Sequence, residues 1–359
     1  GIWYTVVELI ERRTEEVPEM KRIRLAAVLL ALVLAAGCAG GGGAAPEGAP
    51  GQENRLVLYT SHKEEVYWPI VKEFEERTGI WVEVVAGGTN ELLERIRREA
   101  DAPGADVMFG GGVESLEAYR DCFTPYACAQ AEDRQPQFRD AQDLWTPFSA
   151  LPVVLVYNTK LLRPGQLTGW ADLLAPELRG RVAFADPAVS GSSFTALVTM
   201  LQAVEGDGQE TLRLFAENLD GRQLEGSGEV VRSVAEGTGL VGVTLEETAL
   251  KRIAAGDNIA LVYPAEGSSC VPDASALIRG AAHEENARAF LDFTVSREVQ
   301  QLLADQFCRR SVRGDVESEV QMTPVEEIPM ADYDVAWASE HRDALLMSWA
   351  FYLGEEGEL

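Results

Sequence analysis

Three serines and a glycine stand immediately before an apolar segment with helical spacing, in the stretch ADPAVSGSSFTALVTM at residues 185–200. A serine in this position can cap a helix, because its hydroxyl oxygen accepts hydrogen bonds from the first free backbone N–H groups. The same N–H groups, together with the positive end of the helix dipole, can hold an anion. We therefore predict one of two roles, helix cap or anion site, for Ser190, Gly191, Ser192 and Ser193.

A serine could instead be a nucleophile, which requires a base such as histidine. Residues 191–195 (GSSFT) resemble a nucleophile elbow only superficially, because the last position is threonine rather than glycine. Of the three histidines, His62 follows a predicted strand, whereas His283 and His341 fall in a solvated helix cap and in the terminal helix. A secreted phosphoesterase stays as a distant alternative, and we expect a protein that is not an enzyme.

Polar or glycine-rich turns follow three predicted strands, RLVLYT, WVEVVA and ADVMF. In open α/β sheets, ligands bind beyond the carboxyl ends of the strands, so these turns are expected along one rim. The candidate ligand-binding residues of this rim are Ser61, His62, Thr89 and Gly111. An ordinary structural interpretation is also open, with Thr89 as a helix cap and His62 as a surface histidine.

The elements that hold these turns alternate between strand and helix. The first part of the folded chain reads strand, helix, strand, helix, strand, helix, which predicts a parallel sheet covered on both faces. In the first helix, Val66, Ile70 and Phe74 share one face. We expect regular helix to begin near Pro69 and to end at Gly79.

A second α/β series begins after the long apolar strand PVVLVYNTKLL and ends at NIALVYPAEG. The chain would then cross between two lobes near residues 153–158 and 262–267, which predicts an α/β fold with two lobes around a cleft. The predicted boundaries are residues 55–157 and 265–316 for the first lobe, 158–264 for the second lobe, and 317–359 for a C-terminal helical tail.

The composition is that of a globular protein and excludes two classes of partner. Hydrophobic residues make up 46% of the 359 residues, which is enough for a sizeable core. The formal net charge of −27 argues against nucleic acid, whose phosphates require Lys and Arg partners, and against adhesion to anionic membranes. An acidic, soluble exterior is the positive implication of this charge.

The N-terminal region has the pattern of a secretory signal at residues 20–37, with a basic start and a short apolar run. The apolar run of roughly a dozen residues is too short for a stable span of a ~30 Å hydrocarbon layer, which disfavours a membrane-anchor helix. Residues 1–19 precede Met20 and are interpreted as a non-native or upstream extension. Residues 38–54 are rich in Gly, Ala and Pro and predict a flexible tether.

The end of this signal, LAAGC at residues 34–38, resembles the bacterial lipobox. The resemblance implies that Cys38 is lipidated and becomes the first mature residue. The sequence departs from the usual pattern at Ala35, where leucine is common.

Four cysteines remain once Cys38 is set aside, an even number for an oxidising compartment. Cys122 and Cys128 are close enough in sequence to pair across a short loop, which leaves Cys270 to pair with Cys308. Four independent buried thiols are the alternative. A zinc site is not expected, because the spacing lacks a C-x2-C unit and no histidine is near.

Five blocks occur along the chain in the order LYTSHKEE, FEERTGIWVEVVAGGTNELLERI, ADVMFGGGVESLEAY, DPAVSGSSFTAL and LVYPAEGSSCVPDASALIRGA. In this order, and with the lipobox, residues 55–350 resemble a bacterial extracellular solute-binding protein of an ABC importer. The branch that they resemble is similar to ferric-ion-binding proteins and includes binders of phosphorylated sugars and other organophosphates.

This resemblance implies the fold of type II periplasmic binding proteins, with two α/β lobes joined by two crossing strands around a ligand cleft. It also implies permease and ATPase subunits of an importer as partners, and a lipid-anchored position outside the cytoplasm. No cofactor is implied, and we expect a monomer.

The resemblance leaves two ligand classes open, and the first is ferric iron. Ferric binders of this family use a tyrosine pair after a strand of the second lobe, with a histidine and an acidic residue from the first. His62 stands at the place of the histidine, but the place of the tyrosine pair reads Leu245-Glu246-Glu247. Bare Fe(III) bound through His62 and Glu246 is therefore the alternative, and no metal site is the primary expectation.

The second ligand class, a phosphorylated solute, fits the remaining residues better. The residues implied to surround the phosphate are Ser61, His62, Thr89, Gly111, Ser190, Gly191, Ser192 and Ser193. Beside a phosphate, the pKa of His62 would rise. Thr244 and Glu246 would meet neutral hydroxyl groups or an amine at the other end of the ligand. We therefore expect a small anionic solute: a phosphorylated sugar, an organophosphate or a phosphonate.

Overall fold

A mixed sheet of ten strands forms the framework of the residues that the computed structural model describes, which are 54–129 and 133–354. The predicted signal, Cys38 and almost all of the predicted tether lie outside these ranges. The strands are β1 Arg55–Thr60, β2 Trp81–Ala86, β3 Val107–Gly112, β4 Phe123–Thr124, β5 Thr146–Asn158, β6 Val182–Ala185, β7 Gln223–Leu224, β8 Val241–Leu245, β9 Ile259–Val262 and β10 Cys270–Ile278.

Helices cover the faces of this sheet. Within the described ranges they are α1 Glu64–Thr78, α2 Thr89–Arg98, α3 Val113–Ala118, α4 Trp170–Leu173, α5 Gly191–Ala203, α6 Gly208–Leu219, α7 Ser227–Glu236, α8 Glu246–Ala254, α9 Glu284–Thr294, α10 Arg297–Phe307 and α11 Val335–Leu353. None of the helices in this part of the chain combines the length and the apolar character that a membrane span requires.

The sheet order is β2-β1-β3-β10-β5-β8-β6-β7, with β4 beside β10 and β9 beside β5. The predicted parallel arrangement holds for β1 with β2 and β3, and for β6 with β7 and β8. Strand β10 is antiparallel to both β3 and β5, an insertion that the strand-helix pattern did not predict. The predicted α/β fold with two lobes is confirmed.

One long strand, β5, belongs to both lobes. Its first half, Thr146–Pro152, pairs with β10, and its second half, Val153–Tyr157, pairs with β8. All thirteen residues of β5 are buried, as expected for a continuous apolar strand with neighbours on both faces. The second crossing runs through residues 263–269, from β9 to β10.

Each lobe has a core on both faces of its sheet, because alternate side chains of a strand point to opposite faces. In β1, Leu56 and Leu58 pack with α1 and α9, whereas Val57 and Tyr59 pack with α2 and α3. In the second lobe, the alternating residues of β5 are divided in the same way between two clusters.

Helix α1 begins earlier than the sequence predicts. The N–H groups of Val66 and Tyr67 both donate to the carbonyl of Lys63, so the first turn is complete before Pro69. A proline near the start of a helix removes only one donor, and the remaining bonds of the turn are kept. The predicted face of the helix is buried, and Gly79 ends it with φ +72°.

The C-terminal helix α11 packs against both lobes and does not form a separate tail. Trp349 lies fully buried against Phe184 and Phe215 in the core of the second lobe. The buried guanidinium of Arg342 lies over the ring of Tyr119, in the first lobe, and over that of Phe194. Helix α11 therefore contributes to the core of the molecule.

The predicted disulfide between Cys270 and Cys308 is absent from the described residues. Ala150 of β5 lies opposite Pro272 of β10 on one side and forms a bridge with Arg310 on the other. The segment after Cys308 and strand β10 thus flank β5 on opposite sides. Two strand spacings amount to roughly 10 Å, which exceeds the ~7 Å that a disulfide can span between Cα atoms.

No disulfide joins Cys122 to Cys128 in this part of the chain either. Cys122 packs with the cluster on one face of the first-lobe sheet, next to Phe123. Tyr126 packs with the cluster on the opposite face, and Cys128 lies close to it. The chain therefore passes from one face of the sheet to the other between Cys122 and Cys128, through the short strand β4. The number of intervening residues does not reveal this separation.

Candidate functional site

A cleft of about 310 Å³ lies between the two lobes. Five helices of eight residues or more start at this cleft: α1 and α2 from the first lobe, and α5, α7 and α8 from the second. A helix start presents free backbone N–H groups and the positive end of the dipole. The cleft is therefore rich in hydrogen-bond donors and electrostatically suited to an anionic group.

The predicted helix-cap role of the serine loop is confirmed for Ser190, and the predicted anion site stays a prediction. Ser190 is the N-cap of α5, and its hydroxyl accepts a hydrogen bond from the N–H of Ser193 at 3.4 Å. Ser190, Gly191 and Ser192 also line the cleft. Ser193 is buried, and its hydroxyl donates to that of Ser190 at 3.2 Å, so it supports the loop from behind.

The facing rim of the first lobe brings together Ser61, Thr89 and Gly111, as the strand ends predict. Thr89 is the first residue of α2, after the N-cap Gly88, and its side chain is buried. A Cβ atom on Gly191 would lie 2.9 Å from Oγ1 of Thr89. The two rims are therefore in close contact at this end of the cleft.

His62 lines the cleft but is buried rather than exposed. Its ring packs against Phe109 and Phe148, and its Nδ1 atom lies 3.6 Å from Oδ2 of Asp273. Burial lowers the pKa of His62 to about 4, although the charge of Asp273 acts in the opposite direction. The imidazole is thus neutral near pH 7 in the absence of ligand, and the rise expected beside a bound phosphate stays a prediction.

A buried ionic pair next to His62 was missed by the sequence analysis. Nη1 of Arg309 donates to Oδ2 of Asp273 at 2.8 Å and to Oγ of Ser149 at 2.9 Å. Oδ1 of Asp273 accepts from both the N–H and the hydroxyl of Ser149. Both charged residues line the cleft. The one signal for them in the sequence is the CRRSVR segment, where two arginines follow α10.

Glu247 reaches the cleft from the second lobe. Oε1 of this carboxylate lies 3.9 Å from Nη2 of Arg309, and Oε2 lies 3.1 Å from Nζ of Lys251. Burial would raise the pKa of Glu247, but the charges of Arg309, Lys251 and Lys63 hold it below its ordinary value. The carboxylate is therefore ionised and faces three cations.

Besides Ser193, two predicted residues, Glu246 and Thr244, lie outside the cleft lining. Glu246 is fully buried in a bidentate pair with Arg310, at 2.7 Å for each contact, and also accepts from Tyr263. Successive side chains of a helix point about 100° apart, so at the start of α8 Glu247 faces the cleft and Glu246 faces Arg310. The Oγ1 atom of Thr244 is buried as well.

Direct hydrogen bonds join the lobes at the rim. Nδ2 of Asn90 donates to the carbonyl of Ala188 at 2.6 Å, and Nζ of Lys251 donates to the carboxylate of Glu65 at 2.6 Å. Deeper in the molecule, the hydroxyl of Thr195 donates to the carboxyl group of Glu114. These contacts hold the two lobes together around the cleft.

Glu114 is completely buried and receives this one side-chain hydrogen bond. Burial raises the pKa of Glu114 above its ordinary value, while the bond from Thr195 and the charge of Arg342 oppose the rise. A buried carboxylate with so few donors is strongly disfavoured relative to the neutral acid. Burial at the contact between the lobes is therefore the main cause of the raised pKa of Glu114.

The two residues predicted for ferric iron, His62 and Glu246, do not come together at the cleft. Among residues 54–129 and 133–354, no group of three or more His, Cys, Asp or Glu side chains is arranged to hold a metal ion. The ferric alternative requires Glu246 beside His62, and the carboxylate of Glu246 faces Arg310 instead.

The family profile described as bacterial extracellular solute-binding protein matches residues 101–336, and the chain belongs to this family. An Fe(3+)-binding periplasmic protein of Serratia marcescens is 25% identical over 313 residues, covering 84% of this chain and 92% of the relative. A putative 2-aminoethylphosphonate-binding periplasmic protein of Salmonella paratyphi A is 25% identical over 254 residues, covering 68% of this chain and 73% of the relative.

Among solved structures, the periplasmic binding protein AfuA of Actinobacillus pleuropneumoniae, described with exogenous fructose-6-phosphate bound, has a similar fold. The TM-score is 0.78 at 22% identity, over 84% of this chain and 98% of that chain. The relatives are substrate-binding transport proteins and not enzymes. The chain is accordingly a solute-binding protein of the kind that serves ABC importers, with permease and ATPase subunits as partners.

Proposed function

We propose that this protein captures a small anionic solute in the cleft and delivers it to the permease of an ABC importer. The solute is a phosphorylated sugar, an organophosphate or a phosphonate. The observation that carries the proposal is the convergence of five helix starts on one cleft that also contains Ser190, Ser192 and Thr89. Oxyanions bind well to such convergent donors, because each oxygen accepts several hydrogen bonds without a counter-cation.

The names of two similar proteins support this ligand class, since one is described as binding an aminophosphonate and the other has a sugar phosphate bound. The Serratia marcescens relative is described as binding Fe(3+). Ferric iron would need several hard anionic ligands. The described part of this cleft is lined by three carboxylates, Glu225, Asp273 and Glu247, and the last two are already paired with cations. Iron is therefore an outcome of the test and not a second proposal.

The test is a thermal-shift and calorimetric scan of the purified protein against hexose phosphates, glycerol phosphate, phosphonates, inorganic phosphate and Fe(III). A ligand at about 100 times its dissociation constant stabilises the native state by about 2.7 kcal/mol, which a melting scan resolves. Ser192→Ala removes a hydroxyl from the cleft, and Ser193→Ala removes the hydroxyl behind it. We expect about tenfold weaker binding of the oxyanion for Ser192→Ala, the value of one charge-assisted hydrogen bond.

The matched variant Ser193→Ala should bind the oxyanion almost as well as the wild type, because its hydroxyl does not line the cleft. If Fe(III) alone stabilises the wild type, the oxyanion proposal is wrong and the protein is a ferric binder.

We also propose that the mature protein is a monomer held at the membrane by lipid on Cys38. The lipobox-like sequence at residues 34–38 supports the anchor. Two acyl signals hold a protein on a bilayer much more firmly than one. Expression in a bacterium with lipoprotein processing should give a membrane-bound product. A Cys38→Ser variant that fractionates like the parent would contradict the anchor, and a dimer in light scattering would contradict the monomer.

A further inference from the structure

A buried arginine that lines the cleft, Arg309, has one edge without a hydrogen-bond partner among the described residues. Nη1 of Arg309 is held by Asp273 and Ser149, which fixes the plane of the guanidinium. Within the described ranges Nε has no hydrogen-bond partner, and Nη2 lies 3.9 Å from Oε1 of Glu247, beyond hydrogen-bond distance. Nε and Nη2 form one side of the planar fork, which suits two oxygens of one carboxylate or phosphate.

The group nearest to this open edge belongs to the opposite lobe. Glu247 lies in the first turn of α8, and its carboxylate faces Arg309, Lys251 and Lys63. It is anchored by Lys251 and by the hydroxyl of Thr248, and it approaches Arg309 without forming a hydrogen bond. The carboxylate of Glu247 thus occupies the electrostatic position of a ligand anion, at a distance that leaves the edge of Arg309 available.

We propose that Arg309 determines the specificity of the cleft for an oxyanion by binding two of its oxygens through Nε and Nη2. Glu247 competes for the same cation and limits the affinity. The inference rests on the function proposed above, because it identifies the residue that recognises the bound anion. A bound phosphate would attract Arg309 and repel Glu247, so the net affinity reflects both residues. Release to a permease is easier from such a site than from one with unopposed cations.

The first test removes the charge of Glu247 and keeps its shape. Glu247→Gln retains an acceptor for Thr248 and should bind inorganic phosphate and glycerol phosphate at least tenfold more tightly than the wild type, as measured by calorimetry. Tenfold corresponds to about 1.4 kcal/mol. The matched control is Glu64→Gln, which makes the same change of net charge in the exposed first turn of α1, outside the cleft lining. The control should bind within twofold of the wild type.

The second test keeps the positive charge at position 309 and removes the two parallel N–H donors of the guanidinium. Arg309→Lys can still pair with Asp273 but cannot offer two parallel donors, so we expect at least tenfold weaker binding of both phosphate probes. Melting curves establish that each variant is folded, and if Arg309→Lys is not, Glu247→Gln decides alone. A wild type that binds phosphate, with Glu247→Gln equal or weaker, overturns the inference. A wild type that binds none of the phosphate probes overturns the proposed function instead.

Discussion

Gly191 stands where the two lobes approach most closely, and replacing it with alanine should separate ligand affinity from stability. The Cβ atom of Gly191→Ala would lie 2.9 Å from Oγ1, 3.2 Å from Cβ and 3.3 Å from Cγ2 of Thr89. Thr89 is buried at the start of α2 and has little room to move. Ordinary contacts of this type lie near 3.5–4.0 Å, so the rims must separate by several tenths of an ångström.

Overpacking of this size costs roughly 1–3 kcal/mol. We expect the free protein to open and the ligand to close it, so that the cost falls on the liganded state. We therefore expect a five- to 150-fold weaker affinity for the oxyanion in calorimetry, about 1.4 kcal/mol being tenfold. The open protein should not be destabilised, because alanine favours helix more than glycine does. A melting temperature of the free protein equal to or above that of the wild type is the expected companion result.

The chain offers a matched control in Gly208, which is the first residue of α6 just as Gly191 is the first residue of α5. A Cβ atom on Gly208 meets no atom within 4 Å. Gly208→Ala should therefore show the gain in helix propensity and an unchanged affinity. If Gly191→Ala also binds like the wild type, the contact between Gly191 and Thr89 is not part of the liganded state and the closure argument fails.

Three further substitutions probe the packing within and between the lobes. Glu114→Gln should flatten the pH dependence of stability, because the raised pKa of Glu114 makes the wild type lose stability as the pH increases past the ordinary value of 4.5. Urea unfolding from pH 4 to 8 measures this dependence, and parallel profiles for the variant and the wild type would contradict the prediction. Gly110→Ala should lower the free energy of unfolding by roughly 2 kcal/mol or more, since φ of Gly110 is +100° and the new Cβ atom would lie 2.8 Å from Nε2 of His62. A urea midpoint equal to that of the wild type would refute this prediction. Trp349→Ala should cost roughly 3–5 kcal/mol in the same assay, and a loss below 1 kcal/mol would show that α11 does not support the second lobe.

The part of the site that could be predicted from sequence is the part made by short segments. A buried strand, a turn of Gly, Ser or Thr and a helix start follow one another within ten residues, and their chemistry is local. Ser61, Thr89 and Ser190 were predicted on that basis, and the structure brings them to one cleft. The predicted lobes rest on the same local alternation of strands and helices.

The charged part of the site depends on contacts between distant segments. His62 meets Asp273 and Arg309 because β10 is inserted beside β3 and β5, and the strand-helix pattern contains no information about that order. The choice between the adjacent carboxylates Glu246 and Glu247 depends on the rotation of α8. A shift of one residue in the helix start changes that rotation by about 100°.

Strand β5 also determines how motion between the lobes can be observed. Its residues keep hydrogen-bonded neighbours on both sides of the crossing, with β10 before Pro152 and β8 with β9 after it. At this crossing, we expect rotation of the lobes to be taken up as added twist in a strand whose hydrogen bonds stay intact. The amide hydrogens of β5 should exchange with solvent deuterium slowly in the free and the liganded protein alike, at rates set by global unfolding. Exchange that responds to ligand is expected instead at the helix starts around the cleft.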